Sequence, residues 1–571
     1  MRSLRIPLIS FLLLILCGGA VYAALQSSAP GPAPLASYAP PGALLAIESP
    51  DFASVLAAWT HSSERKRWLA GDNYAGFSRS RLFDRLSQAQ DEFATTAGLP
   101  PDSNFLQQIA GRQSLLAWYD IGNLEFLYIT RLPPGDAAKT PLLQLRDRFE
   151  QRKAGDATFF VRTQQEPART VAFAVQGDYL LLATREDLLA GALELLQHPA
   201  AATSRTLLND TWYATTIAAA SKTPGDLRMT LNLAKIVRSP YFRSYWIQQN
   251  VSETKQYIAA LSDLYRSPDA LREERVLIPA DPDTQPQTSD LSSVLDLVPP
   301  GLGVYRAQSA PTTADILTQF EDKLLSRRPT EHSDTHIAPQ ADLSTPESGT
   351  STNLEQRIDE PTLPAQPREQ ALTALRTLFS SATPTSLLSF STVDPAPSTF
   401  TPIHTAVALT AAAPWSPTTL QQALTAALLP RLSSPGTSLQ WTQRDEGGSS
   451  SYSLEGPQSL TFALIGNTCV LASDYPTLHQ LLSAQRTATH SPRIASTIAG
   501  FSHRAERPPF LHLTATLDHS ASPSAGTTPA FFSRNLASLS QTFVDLDSES
   551  FTQAPAKDGA TRQTVLYQWK R

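Results

Sequence analysis

Two cysteines, Cys17 and Cys469, are all that the 571 residues hold. Cys17 lies in an apolar N-terminal run, so a processed chain keeps one thiol. One thiol excludes an internal disulfide and a cysteine metal cluster. Cys469 stands among apolar residues in an expected strand and reads as a small buried hydrophobe. Charge is sparse too: Asp, Glu, Lys and Arg make up 17% of the chain, against roughly 25% in ordinary soluble proteins. The formal net charge is -6, and no long Lys/Arg run occurs. Binding a phosphate backbone needs a concentrated basic surface, so nucleic acid is excluded as a main partner.

Motifs of common chemistries are also missing. There is no phosphate loop ending in Gly-Lys-Ser/Thr, no dinucleotide fingerprint after a strand and no Gly-x-Ser-x-Gly turn. Ser63-Glu64-Arg65-Lys66 fits Ser-x-x-Lys, but its partner motifs are absent, and Lys222-Thr223-Pro224-Gly225 only approaches one of them. In a Ser-rich chain that match is a coincidence. His332 and His336 stand four apart in a Pro/Ser/Thr-rich stretch without helical framework, which reads as a solvated loop rather than a zinc site. His512 and His519 flank an expected strand, Phe510 to Leu517, and would point to opposite faces. Glu48 and Asp178 lie near strand ends, where catalytic acids often sit. Gly177-Asp178 is better read as a tight turn, because Gly, Asp and Asn tolerate positive φ. Trp59, Trp118, Tyr119 and Tyr128 could line a groove, but aromatics at strand and helix-face spacing read first as core. The sequence therefore assigns no catalytic, cofactor-binding or metal-ligating residue, and it implies no cofactor.

What is present is organisation. At 571 residues with 41% hydrophobic content, the chain exceeds what one core serves. Met1 to Arg5 is a short basic start, Ile6 to Leu16 is apolar, and Val21-Tyr22-Ala23 fits a small-x-small cleavage pattern. The apolar run also suffices for one membrane-spanning helix with its basic end in the cytoplasm. Lipid attachment at Cys17 is a third option, though Leu14-Ile15-Leu16 lacks the small residue such sites use. Residues 1–24 are thus expected to be a signal peptide or an anchor, and 25–37 a Pro/Ser/Ala tether. The body of the chain is expected to be exported across an inner membrane, to the periplasm.

The strongest signal is an internal repeat. Phe173-Ala174-Val175-Gln176-Gly177-Asp178 leads into Tyr179-Leu180-Leu181-Leu182-Ala183-Thr184 and a leucine-rich helix through Leu193. Phe462-Ala463-Leu464-Ile465-Gly466-Asn467 leads likewise into Thr468-Cys469-Val470-Leu471-Ala472-Ser473, then Leu478 and Leu482. Thr184 with Asp187 reads as a variant capping box. Pro40-Pro41-Gly42 before one expected strand is echoed by Pro299-Pro300-Gly301 before another. Leu115 to Asp120 and Glu125 to Thr130 read as a hairpin about Gly122-Asn123, and Ser386 to Phe390 and Thr405 to Leu409 echo them. The strand from Leu227 is matched with Phe510 to Leu517, and Val276 to Ile278 with Thr564 to Trp569. The stretches Phe83 to Ala97, Pro141 to Phe149, Tyr241 to Tyr265, Thr312 to Leu325 and Pro417 to Leu432 read as helices. Residues 327–368, rich in Pro, Ser, Thr, Asp and Glu, read as a disordered insertion.

The expected fold is α+β: two pseudo-repeated units, 38–280 and 281–571, with mainly antiparallel sheets and helices packed on one face. With its Pro-Pro-Gly strand, the Gly111-Arg112 start of its hairpin and its Phe-Ala-Val-x-Gly-Asp segment, the chain resembles a family of uncharacterised exported bacterial proteins. Those repeat such a unit behind an N-terminal signal. The resemblance covers most of residues 38–571, rests on turn and core positions, and carries no catalytic residue over. It bears on localisation and fold; the duplicated α+β body, the export segment and the lack of a coherent catalytic set point to a non-enzymatic cell-envelope protein acting as a binding or scaffold module. An envelope protein would be its partner, and the membrane a second one if the N-terminal segment stays uncleaved. The competing readings are a periplasmic hydrolase with a site built from distant residues, and a carrier of an apolar ligand between the units.

Overall fold

A computed structural model describes residues 33–166, 168–198, 206–238, 254–281, 285–325, 366–394, 402–429, 439–446, 449–454, 459–521, 537–556 and 558–570. The chain divides into two compact units. The first holds the chain up to Trp59 and Asp84–Leu261; the second holds Thr60–Phe83 and Ser262–Arg571.

The first unit contains β1 (Leu45–Ser49), β2 (Gln113–Asp120), β3 (Glu125–Arg131), β4 (Glu150–Ala154), β5 (Ala157–Gln165), β6 (Ala168–Gln176), β7 (Tyr179–Ala183) and β8 (Leu227–Leu231). They pair antiparallel in the order β4-β5-β6-β7-β3-β2-β1-β8. Short turns make this possible. Asp120 accepts from the Gly122 and Asn123 amides at 2.7 and 3.1 Å, and Gly177 takes φ 59° between β6 and β7.

The apolar residues of these strands fall on both parities, so both faces need cover. Leu115, Ala117, Leu127, Ile129, Leu181 and Ala183 share a core with Leu188, Leu189, Ala192 and Leu193 of the Glu186–Gln197 helix. Tyr128, Phe173, Leu180 and Leu182 join Phe93 and Phe105 of the Arg81–Ala97 and Ser103–Ile109 helices in a second core. Helices therefore cover both faces rather than the single face expected. Phe173 is central: Phe160 stacks on it at 5.2 Å, and Phe149 meets it edge-on at 5.0 Å. Burying such a ring stabilises by about 1.5–3 kcal/mol from area alone.

The division between units falls inside β9 (Tyr257–Arg266). After it come β10 (Ala270–Pro279), β11 (Ser289–Asp290), β12 (Val304–Ser309), β13 (Pro384–Val393), β14 (Ile403–Ala411), β15 (Trp441–Glu446), β16 (Ser449–Leu454) and β17 (Leu460–Ile465). The last are β18 (Thr468–Ala472), β19 (Ile494–Ala495), β20 (Thr497–Phe501), β21 (Leu546–Pro555) and β22 (Thr561–Trp569). The order is β15-β16-β17-β18-β14-β13-β12-β20-β21-β22-β10, antiparallel throughout. Strands β9 and β10 also pair, and β11 and β19 form a separate two-stranded ribbon. The course from β15 to β20 places its eight strands as the first unit places β4 to β8. Two cores again flank the sheet. One holds Phe320, Phe379, Leu409, Phe462 and Leu471; the other holds Leu295, Phe390, Ala408, Val470 and Leu478. Phe462 repeats the surroundings of Phe173, with Tyr452 stacked at 4.8 Å and Trp441 edge-on at 5.3 Å.

Several expectations change. Tyr257 to Tyr265, expected helical, is strand β9, with Ala259, Ala260, Leu261 and Asp263 buried. Phe510 to Leu517, expected to be a strand, lies inside the His503–Ala521 helix, and β20 takes the place beside β12 instead. Thr184 does not cap the following helix. Its hydroxyl accepts from the Phe126 amide at 2.9 Å, and Ser473 serves the Thr405 amide in the same way at 3.1 Å. Arg185 is the N-cap residue and makes no side-chain cap bond. Ser63–Ala70, which carries the Ser-x-x-Lys match, and Asp72–Phe77 are helices. Within the expected tether, Leu35 and Ala36 are buried in the first core. Of the expected insertion, only Gln366 to Arg368 is described, and it opens the Gln366–Ala382 helix. The expectation of a transmembrane helix is corrected: no helix among the described residues is long and apolar enough to cross a membrane. Residues 1–24 lie outside the described residues.

Candidate functional site

The second unit has a cleft of about 630 Å³ at one end of its sheet. Its rim is the Pro299-Pro300-Gly301 turn, its wall is the end of the Tyr475–Thr487 helix, and its floor is the strand ends of β12, β20 and β21. Antiparallel pairing brings these ends together, since Val304 lies opposite Phe501 and Phe501 opposite Glu549. Past Asp547 and Gln568 a second hollow of about 790 Å³ continues toward Ser267, Arg504 and Lys570.

Asp296 is the fixed charge of the cleft. It ends the Ser292–Leu295 helix, and its side chain is only 2% exposed. Arg493 donates to its Oδ1 at 3.2 Å, and the His490 ring meets its Oδ2. Arg493 is itself placed by its backbone, whose amide donates to Asp290 at 2.9 Å. Together with the Ser292 amide, that bond holds the Asp290 carboxyl below the usual range. Burial pushes the Tyr305 phenol up, while Arg493 draws it partly back. The Tyr305 ring lies flat over Gly500: a Cβ at that glycine would stand 2.5 Å from the ring. Only glycine fits that approach.

On the far wall, Glu549 lies 3.6 Å from His503 Nε2, a buried nitrogen without a hydrogen bond among the described residues. Asp547 Oδ1 is likewise buried and unbonded, with Arg504 at 4.0 Å. Two of the hydroxyls lining the cleft are committed elsewhere. Ser502 donates to the Gly301 carbonyl at 2.8 Å, and Ser548 donates to Gln568 at 3.0 Å. Neither is bonded to an imidazole, the contact that activates a nucleophile in acyl transfer. The cleft offers fixed donors and acceptors of both signs.

The residues weighed from sequence lie elsewhere and are not brought together. Ser63 bonds its neighbour Glu64 at 3.1 Å rather than Lys66. Glu48 accepts from the Tyr213 hydroxyl and faces Arg228 in the β1–β8 register. Burial and the Glu48 charge push the Tyr213 phenol far up, so it acts as a donor there. Asp178 sits in its turn, as the Gly177 geometry requires. His332 and His336 lie outside the described residues. His512 and His519 fall in one helix. Tyr128 is core, donating to the Ile109 carbonyl at 2.9 Å, while Tyr119 donates to Pro40 at 2.7 Å. Trp118 packs on Phe126, and Trp59 is 52% exposed, so the four aromatics form no common groove. Cys469 is fully buried, and burial pushes its thiol up. Among the described residues no cluster of three His, Cys, Asp or Glu could hold a metal. Sequence reasoning singled out the Pro-Pro-Gly turn but not Asp296, Tyr305, Arg493 or Glu549. They converge only through non-local strand pairing, and the turn was the one available signal.

Comparison with family models, curated proteins and solved structures returned no match for this chain.

Proposed function

We propose that this is an exported, non-enzymatic protein of the cell envelope that works as a binding or scaffold module, with the second-unit cleft as its recognition surface. The observation that carries the reading is the cleft itself: Asp296, Arg493 and Glu549 converge at the strand ends, while Ser502 and Ser548 beside them are engaged with protein oxygens. The body around it is read as an internal duplication. The shared strand course and the matching aromatic triads of Phe173 and Phe462 support that reading. Export rests on the basic start, the apolar run and the Val21-Tyr22-Ala23 pattern, together with the resemblance to exported bacterial proteins.

Purification from the native envelope tests both parts. Mass spectrometry is expected to find a chain beginning at Ala24 or Leu25. It is also expected to find a co-purifying molecule that is lost from an Arg493→Ala, Glu549→Gln variant. An intact Met1 would reject processing. A partner set unchanged in the variant would reject the cleft.

A further inference from the structure

The first unit has a different polar corner. Arg112 precedes β2, Gln113 opens it, Arg131 ends β3, and Gln113 lies directly opposite Arg131. With Asp178, Pro50 and Leu132 they line a cleft of about 400 Å³. Among the described residues, neither guanidinium has a carboxylate or carbonyl partner within ion-pair or hydrogen-bond distance. Gln113 Oε1 is buried and unbonded. Its amide can turn either way, so the same side chain can present its NH₂ to a ligand.

The second unit shows that this corner of the fold closes without charge. There Ser386 lies opposite Thr410, as Gln113 lies opposite Arg131. The Ala411 amide donates to the Asn467 carbonyl at 3.0 Å, as the Leu132 amide donates to Asp178 at 2.9 Å. Thr385 and Thr410 thus stand where Arg112 and Arg131 stand, and both hydroxyls are engaged: Thr385 donates to the Thr410 carbonyl at 3.2 Å, and Thr410 meets Thr468 at 2.9 Å. The two arginines are not needed to build the corner.

We infer that Arg112 and Arg131 form a binding site for a phosphate group. The two side chains leave opposite faces of the β2–β3 pair and border one cleft at its end, and two guanidinium forks suit the several oxygens of a tetrahedral oxyanion, whereas a carboxylate fills one fork. Two cations against the Asp178 carboxylate leave a net charge of +1, which one singly charged phosphate balances. Asp178 disfavours the anion and so tunes the site toward weak, reversible binding.

The test is thermal unfolding of the purified protein, titrated at constant ionic strength with inorganic phosphate and, separately, with glycerol phosphate. A saturable rise in Tm is expected with at least one probe. Equal responses identify free phosphate as the ligand, and a stronger response to glycerol phosphate identifies a phosphoester. The Arg112→Thr, Arg131→Thr variant takes the side chains of the second unit and is expected to lose at least about tenfold in affinity. Asp178→Asn places at the turn the residue that follows Gly466, so it is expected to fold, and to bind roughly two- to fivefold more tightly. No saturable response, an unchanged response in the double threonine variant, or weaker binding in Asp178→Asn would each overturn the site.

Discussion

The Pro40-Pro41-Gly42 and Pro299-Pro300-Gly301 turns begin alike and end differently. Both glycines take positive φ, at 97° and 69°. In the first unit the turn is locked from three sides. Tyr119 donates to the Pro40 carbonyl, the Gly42 amide donates to Asp210 at 2.8 Å, and the Pro40 ring lies against Gly191 of the Glu186–Gln197 helix. In the second unit the matching turn borders the open cleft. The corner at the other end of the sheet reverses the contrast: arginines and an open cleft in the first unit, engaged threonines in the second. One strand course thus presents a polar opening at one end in one unit and at the opposite end in the other. The scaffold residues are alike, and the residues at the ends are what differ.

The likeness is broken most severely at its two aromatic centres. Phe173→Ala and Phe462→Ala are each expected to cost about 3–5 kcal/mol, and by similar amounts, because each ring has one stacked and one edge-on neighbour. Chemical denaturation of both variants checks this, and a large inequality would show that the two centres are not energetically alike. A smaller difference is expected at the start of the helix after each Gly-Asp or Gly-Asn turn. Asp474 caps its helix, accepting from the Thr477 amide at 2.8 Å, whereas Arg185 makes no such bond. Asp474→Ala should cost about 1 kcal/mol and Arg185→Ala close to nothing, read from the same denaturation midpoints.

The smallest effect is one of pH. Burial raises the Asp474 carboxyl, but bonds from His404, Thr477 and Ser473 together outweigh burial and hold it below its ordinary 3.8. A depressed carboxyl contributes stability that is present above about pH 4 and is lost as pH falls through the folded value. Thermal unfolding between pH 5 and 3 should therefore show a shallower acid loss in Asp474→Asn than in the native chain. An identical slope would remove Asp474 from the account.

Local chemistry made the hairpins legible. Gly122-Asn123 and Gly177-Asp178 are turn signals that need no tertiary context, and β2, β3, β6, β7 and β22 follow from them and from apolar runs. Two misreadings have one physical cause. Tyr257 to Tyr265 carries apolar residues at both helical and strand spacing, and pairing with β10 decides it. Phe510 to Leu517 alternates, yet it lies in a helix, and Glu506 of that helix is buried against the Gly303 amide at 3.0 Å and Thr392 at 2.8 Å. That buried carboxylate binds the helix to β13 and to the turn before β12 through partners more than a hundred residues away in sequence, which no local window contains. The cleft is illegible for the same reason, and the arginine corner is hidden because Gly111-Arg112 reads by itself only as the start of a hairpin.

The position of β22 has a consequence in time. It lies between β21 and β10, so β10, in the middle of the chain, gains this neighbour only when Thr561–Trp569, near its end, becomes available to fold. Until then one edge of β10 is an open template, with Glu273, Glu274 and Arg275 along it. Charges on an unpaired edge discourage wrong pairing. Before β22 docks those side chains act as guards, and once it arrives they become part of an interior strand.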